Sequence, residues 1–343
     1  MSVAERLQDS AALRGVPLGA LQACVDLWEP RELATDQRLW LHGESADALA
    51  FIDEGGLRVE IAGEELGELE LGQIVGETAA LSNGYRTASV VAARPTRLLV
   101  IRGEGLAHLR LQHAPVYDQL LVHALKTTAQ RVHAVGKEIA KLAHGAEVAP
   151  KYIEESALRA LWKRFTGVGQ QQAPSALPVL RRMRGLREAE TAQLSAILAA
   201  FEPHFVERGH PVFLEAEVGT SVFLLADGCV DVLRNVGGQR AERLASLYEG
   251  ALFGTGSLLL GQRRNASCVA AATTDVWVYE LTQEAHRNLR GEAGRLWREA
   301  LLAALWFQLA RADERLVELR RGGKLERTDY EELAGSLLGL QAR

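Results

Sequence analysis

The sequence predicts an α+β chain in which two tandem jelly-roll β-barrels are each flanked by helices. The chain repeats itself once: "VGETAAL" followed by Arg86 and "FGTGSLL" followed by Arg264 lie 178 residues apart. Within each copy the strand signals are short, evenly spaced and separated by turn residues, the pattern of a small antiparallel barrel. Apolar-periodic helical stretches precede and follow each set of strands. The period is too long for a solenoid unit, so the repeat is two copies of one domain.

Taken in order, "VPLGALQACVDLWEPREL" (16–33) is a helix running into a Glu-Pro, as is "REAETAQLSAILAAFEPHFV" (187–206). "LWLHGESADALAFIDEGGLRVEI" (39–61) then matches "PVFLEAEVGTSVFLLADGCVDVL" (211–233). In "LRVEI", Leu57, Val59 and Ile61 alternate with Arg58 and Glu60, the period of a half-buried strand. "DEGG" and "ADGC" are expected to form hairpin turns. After each arginine come two more strands, "SVVAA" and "RLLVI" in copy one, "SCVAAA" and "VWVYEL" in copy two. Long helical stretches follow at 114–144 and 284–321. The Gly-, Gln- and Pro-rich "TGVGQQQAPSALP" (166–178) is the linker. The expected domains are 10–140, a helical linker and loop at 141–178, a second domain at 179–321 with the long C-terminal helix, and a tail helix at 322–343.

A length of 343 residues accommodates two cores, and a net charge of −5 provides no basic stripe for nucleic acid. Cys24, Cys229 and Cys268 are odd in number and widely spaced, as expected of reduced thiols. With no signal-peptide pattern and no apolar run long enough to span a bilayer, a soluble cytoplasmic protein is expected. The nine histidines form no HxH or HExxH, and no P-loop or nucleophile elbow occurs, so neither an enzyme nor a metal site is expected.

The chemistry lies in residues 74–93. A short helical turn beginning at Gly76 directs unpaired backbone amides outward, and Ala79 and Ala80 add no bulk around them. Arg86 supplies a charged fork for phosphate oxygens. Glu77 accepts hydrogen bonds, which suits sugar hydroxyls. The combination points to a nucleotide whose phosphate sits close to its ribose.

"VGETAAL" followed by "YRTA" resembles the phosphate-binding cassette of cyclic nucleotide-binding domains, found in catabolite activators, regulatory subunits of cAMP-dependent kinase, cGMP-dependent kinases and nucleotide-gated channels. The resemblance covers both copies. It implies that Glu77 binds the ribose 2′-hydroxyl, that Arg86 neutralises the cyclic phosphate, and that amides near Gly76, Glu77, Thr78 and Ala79 cradle it. It also implies that Thr87 can reach the purine. The implied ligand is cAMP, with cGMP and cyclic dinucleotides as alternatives, and Thr127 and Thr128 lie on the helix that contacts the base in the activators. Copy two keeps Gly254, Arg264 and Asn265 but has Thr255 where copy one has Glu77, so a weak second site or a structural barrel is expected.

Only 22 residues follow the long helix, too few for a DNA-binding module, so a transcription regulator is disfavoured. The expected function is a cyclic-nucleotide receptor that signals through an unidentified protein partner. The alternative is an interaction protein whose barrels have lost their ligand. The apolar run "LLAALWF" is expected either to pack against copy one or the tail within the chain, or to form a homodimer through the C-terminal helix. The tail, with Thr328 and Glu331 at capping-box spacing and a stripe of Leu333, Leu337 and Leu340, is expected to dock on that helix or on copy two.

Overall fold

The computed structural model describes residues 1–142, 172–236 and 240–321. Most of the expected linker and the whole of the expected tail helix lie outside the described residues. The chain divides into two compact units. The first comprises Met1–Thr128 and Arg298–Val317; the second comprises Ala129–Trp297 and resumes at Glu318.

In the first unit, α1 (Val3–Asp9) starts at a capping box in which Ser2 and Glu5 satisfy each other's backbone amides. Helix α2 (Leu18–Gln22) leads into the barrel. The barrel strands are β1 (Glu29–Leu33), β2 (Arg38–Trp40), β3 (Ala48–Glu54), β4 (Gly56–Ile61), β5 (Glu64–Glu70) and β6 (Ile74–Val75). After the short helix α3 (Glu77–Leu81) come β7 (Ser89–Ala92) and β8 (Thr96–Arg102), then α4 (Gly103–Gln112) and the long α5 (Ala114–Leu142). The strands form two four-stranded antiparallel sheets, ordered β1-β8-β3-β6 and β2-β7-β4-β5, a jelly roll. Ile52, Leu57, Val75, Val90, Leu98 and Val100 fill the space between them. Beside this core the buried carboxylate of Asp53 accepts from Arg6 Nε at 2.5 Å and from Arg97 Nε at 2.7 Å. Burying a carboxylate is tolerable only with such partners.

The second unit repeats the plan. Helices α6 (Leu177–Arg182) and α7 (Thr191–Leu198) precede β9 (Glu202–Val206), β10 (Pro211–Phe213), β11 (Ser221–Asp227), β12 (Cys229–Val236), β13 (Arg240–Tyr248) and β14 (Leu252–Phe253). Then follow α8 (Thr255–Leu260), β15 (Ser267–Ala270), β16 (Val276–Thr282), α9 (Gln283–Asn288) and α10 (Gly291–Arg320). Its sheets, β9-β16-β11-β14 and β10-β15-β12-β13, have the order of copy one strand for strand. The interior is more aromatic: Phe213, Phe223 and Phe253 lie with ring centroids 5.6–5.9 Å apart.

Two local expectations change. "DEGG" and "ADGC" do not make hairpins, because β3 and β4 belong to different sheets, as do β11 and β12. They are sharp corners between sheets, and Gly55 (φ +91°) and Gly228 (φ +88°) take the left-handed conformation the corner requires. The second change concerns α10, whose residues Arg298–Val317 belong with copy one and not with copy two. Glu299 accepts from Arg110 Nε and from the Tyr117 hydroxyl, each at 2.8 Å, and Val317 packs with Ile61 and Ala88. Residues 300–306 are buried. The apolar surface on which a homodimer was expected is therefore covered within one chain. Among the described residues no helix is long and apolar enough to cross a membrane, and no His, Cys, Asp and Glu group could hold a metal.

Candidate functional site

The cassette of copy one begins where β6 ends. Gly76 caps α3 with φ +79° and ψ +3°, a left-handed conformation that glycine adopts at no steric cost. An added Cβ there would also collide with Arg86 Nη1 and with the Trp40 ring. Conformation and close approach thus both require glycine. Helix α3 is buried throughout, and its Ala79 packs with Ala46 and Trp306.

Arg86 returns beneath it. Its backbone N–H donates to Glu44 O at 2.8 Å and its carbonyl accepts from Gly43 N at 2.9 Å, pinning the residue to the loop before β3. The guanidinium is 3% exposed. Nη2 donates to Ala48 O at 2.7 Å, Nη1 to Gly76 O at 3.1 Å, and Cζ lies 3.6 Å from the Trp40 ring centroid. Nε is buried without a partner, and no carboxylate among the described residues makes an ion pair with the group. Burial pushes its pKa down to about 10, and the more distant charges of Asp47, Glu44 and Glu77 counter this only in part. It remains a cation at neutral pH, held by carbonyls and a ring face with no ion-paired carboxylate among the described residues.

Glu77 is 9% exposed, and its Oε1 accepts from the Thr127 and Thr78 hydroxyls, each at 3.3 Å. Thr78 Oγ1 lies 2.8 Å from Thr128 Oγ1. Both threonines of α5 thus face the cassette, which the sequence left open. Nearby His123 has its pKa lowered by burial, partly offset by Glu77. Thr87 is half-buried beside Arg86.

Copy two has the same frame with other contacts. Gly254 caps α8 at φ +85°. Arg264 is 6% exposed; Nη1 donates to Ser221 O at 2.8 Å and Gly254 O at 3.3 Å, and Nη2 to Ser221 Oγ at 3.1 Å. Its Cζ lies 4.1 Å from the Phe213 ring centroid. Gly254, Thr255 and Arg264 are brought together, whereas Asn265 turns outward and its Nδ2 lies 3.2 Å from His133 Nδ1. Asn265 is not part of this arrangement.

The cyclic nucleotide-binding domain model matches residues 30–113 and again 203–292, together just over half of the chain. The chain belongs to the cyclic nucleotide-binding domain family.

Each jelly roll is one such domain. The cGMP-dependent protein kinase egl-4 of Caenorhabditis briggsae is 23% identical over 255 residues, which cover 74% of this chain and 27% of the kinase. The Cyclic AMP receptor protein of Thermus thermophilus is 33% identical over 84 residues, covering 24% of this chain and 39% of that protein. Among solved structures, the regulatory domain of Toxoplasma gondii PKA with cAMP aligns over 86% of this chain and 93% of its own, at 16% identity and a TM-score of 0.30. The chain spans about a quarter of the length of the kinase relatives it matches.

Two residues that shape the first cyclic nucleotide-binding domain were not placed at its site from sequence. Trp40 supplies the ring under Arg86, and Trp306 of α10 packs with Ala46 and Ala79. A signal for the first was present: Trp40 in "LWLHGE" and Phe213 in "VFLEAE" hold equivalent places in the repeat. Trp306 carried no such signal, since it lies some 220 residues from the cassette loop it touches.

Proposed function

We propose that copy one is a receptor site for a 3′,5′-cyclic purine nucleotide, with cAMP the first candidate and cGMP the second. The observation that carries this reading is Arg86, a buried cation with no ion-paired carboxylate among the described residues and an unpartnered Nε. Leaving such a group uncompensated is costly, and a phosphate compensates it with charge and hydrogen bonds together. Glu77 then takes the ribose 2′-hydroxyl, the amides near Gly76, Glu77, Thr78 and Ala79 take the phosphate, and Thr87 lies on the side of the base. The similar proteins named for cGMP and cyclic AMP support this class of ligand. No catalytic role is assigned.

The output is a change of shape read by a protein partner in the cytoplasm. The hydroxyl contacts from Thr127 and Thr128 to Glu77 and Thr78 support it, because a ligand that bonds Glu77 shares that carboxylate with Thr127 and so acts on α5. Copy two reads as a supporting barrel, since the Ser221 hydroxyl already occupies its arginine.

Isothermal titration of the full chain with cAMP, cGMP and a cyclic dinucleotide tests the reading. The expected result is saturable binding of a cyclic mononucleotide at about one tight site per chain. The absence of binding by all three would reject it.

A further inference from the structure

Arg86 is presented by the loop that follows α3. Asn83 is exposed with φ +51°, Gly84 has no side chain, and the Tyr85 ring is 57% exposed. Besides its backbone bonds to Gly43, Glu44, Ala46 and Ala79, the loop is held by α10. The Trp306 indole lies flat against Gly84, where an added Cβ would fall 2.6 Å from its Cε2 and 2.9 Å from its Cδ2. Its Nε1 donates to the Tyr85 carbonyl at 3.0 Å. The same ring packs on Ala46 and on Ala79 of α3, with Phe307 alongside. Gly84 in turn ties these pieces together: its N–H donates to Ala79 O at 2.8 Å, and its carbonyl accepts from Ala46 N at 3.1 Å. One buried indole therefore touches the cassette helix, the loop before β3 and the residues leading into Arg86.

We infer that Trp306 is a positioning residue of the copy-one site, so that seating of Arg298–Val317 on this barrel and nucleotide occupancy are coupled. The inference rests on the reading of copy one as a nucleotide site. An anion that draws Arg86 and the α3 amides toward itself acts on the two pieces of backbone the indole clamps. A cassette already clamped loses less freedom on binding, and this difference appears as affinity. Coupling is reciprocal, so ligand strengthens the seating of the helix by the factor by which the helix strengthens ligand. The hold on the helix also runs through Glu299 and Val317, about 27 Å apart at 1.5 Å per residue, so the cassette has a long lever in α10.

The test uses the full chain. Affinity for cAMP and cGMP is measured by titration in wild type, Trp306→Ala, Trp306→Phe and Gly84→Ala. The chain is also labelled with 5-fluorotryptophan, and the Trp306 resonance is assigned, among the six tryptophans, as the one missing from Trp306→Phe. Expected results are affinity about tenfold weaker in Trp306→Ala and in Gly84→Ala, whose methyl pushes the indole away, with partial recovery in Trp306→Phe. The Trp306 fluorine signal shifts on saturation with cAMP in wild type and stays fixed in Arg86→Leu. Should Trp306→Ala fail to fold, Gly84→Ala and the fluorine signal decide. Full affinity in the folded variants with a stationary Trp306 resonance at saturation overturns the coupling and leaves the nucleotide site standing. No binding to wild type overturns the site reading and the coupling with it.

Discussion

The two barrels share strand order, a left-handed glycine at the cassette and a buried arginine ten residues beyond it, yet the two arginines are in different states. Arg264 has a side-chain oxygen of its own, the Ser221 hydroxyl. At the equivalent place copy one has Ala48, which offers Arg86 only its carbonyl, and Nε is left without a partner. The carboxylate differs as well, with Glu77 in one cassette and Thr255 in the other. A repeated frame therefore does not imply a repeated site. The frame is set by backbone geometry, while the partners of the guanidinium are set by one or two side chains around it.

The strongest way to break this comparison is to remove Arg86. Arg86→Leu is expected to weaken cyclic nucleotide binding by about 2–5 kcal/mol, roughly thirtyfold or more, measured by titration beside a circular-dichroism check of folding. Unchanged affinity would mean that the unpartnered guanidinium is not where the phosphate goes. The same group sets a pH dependence. On the proposed reading the ligand takes the protonated form, whose pKa burial has lowered to about 10. Affinity is thus expected to stay level through neutral pH and to fall as pH rises past that value, where the free protein loses the charge. Binding of the anion raises the pKa, and a titration series in alkaline buffers reads the effect.

A smaller effect is expected at the carboxylate. Glu77→Ala removes a charged hydrogen bond worth about 1.5–3 kcal/mol, and its signature is loss of discrimination against the 2′-deoxy nucleotide. Competition titrations with 2′-deoxy-cAMP measure it. If the variant discriminates as well as wild type, Glu77 does not read the ribose. The reverse experiment sharpens the comparison: Ser221→Ala with Thr255→Glu gives copy two the alanine and the glutamate of copy one, and a second binding event per chain is the expected outcome.

The smallest effect is expected from Arg264→Leu, which should leave binding at copy one within about 0.5 kcal/mol, as independent sites do. A large loss of affinity in that variant, with the fold intact, would show that copy two holds ligand itself or supports the first site directly.

Sequence alone determined the fold class, the twofold repeat and the nearness of Gly76, Glu77 and Arg86. These rest on periodicity and on short-range spacing, which the chain carries openly. Strands alternate or run apolar for a handful of residues, and Gly76, Glu77 and Arg86 lie within eleven consecutive positions. The hairpins expected at "DEGG" and "ADGC" were misread because a turn signal reports that the chain reverses, and not which sheet the next strand joins. Tertiary structure alone decided what surrounds the arginines. Ala48 and Ser221 look unremarkable in sequence, and they matter only because β3 and β11 bring them under a guanidinium about forty residues away. The place of α10 was likewise beyond local reading. "LLAALWF" declares that it must be buried, since apolar surface is driven out of water regardless of what covers it. The cover is copy one, through contacts such as Trp306 on Gly84 and Tyr85, and a non-directional force leaves that choice to the packing of the whole chain.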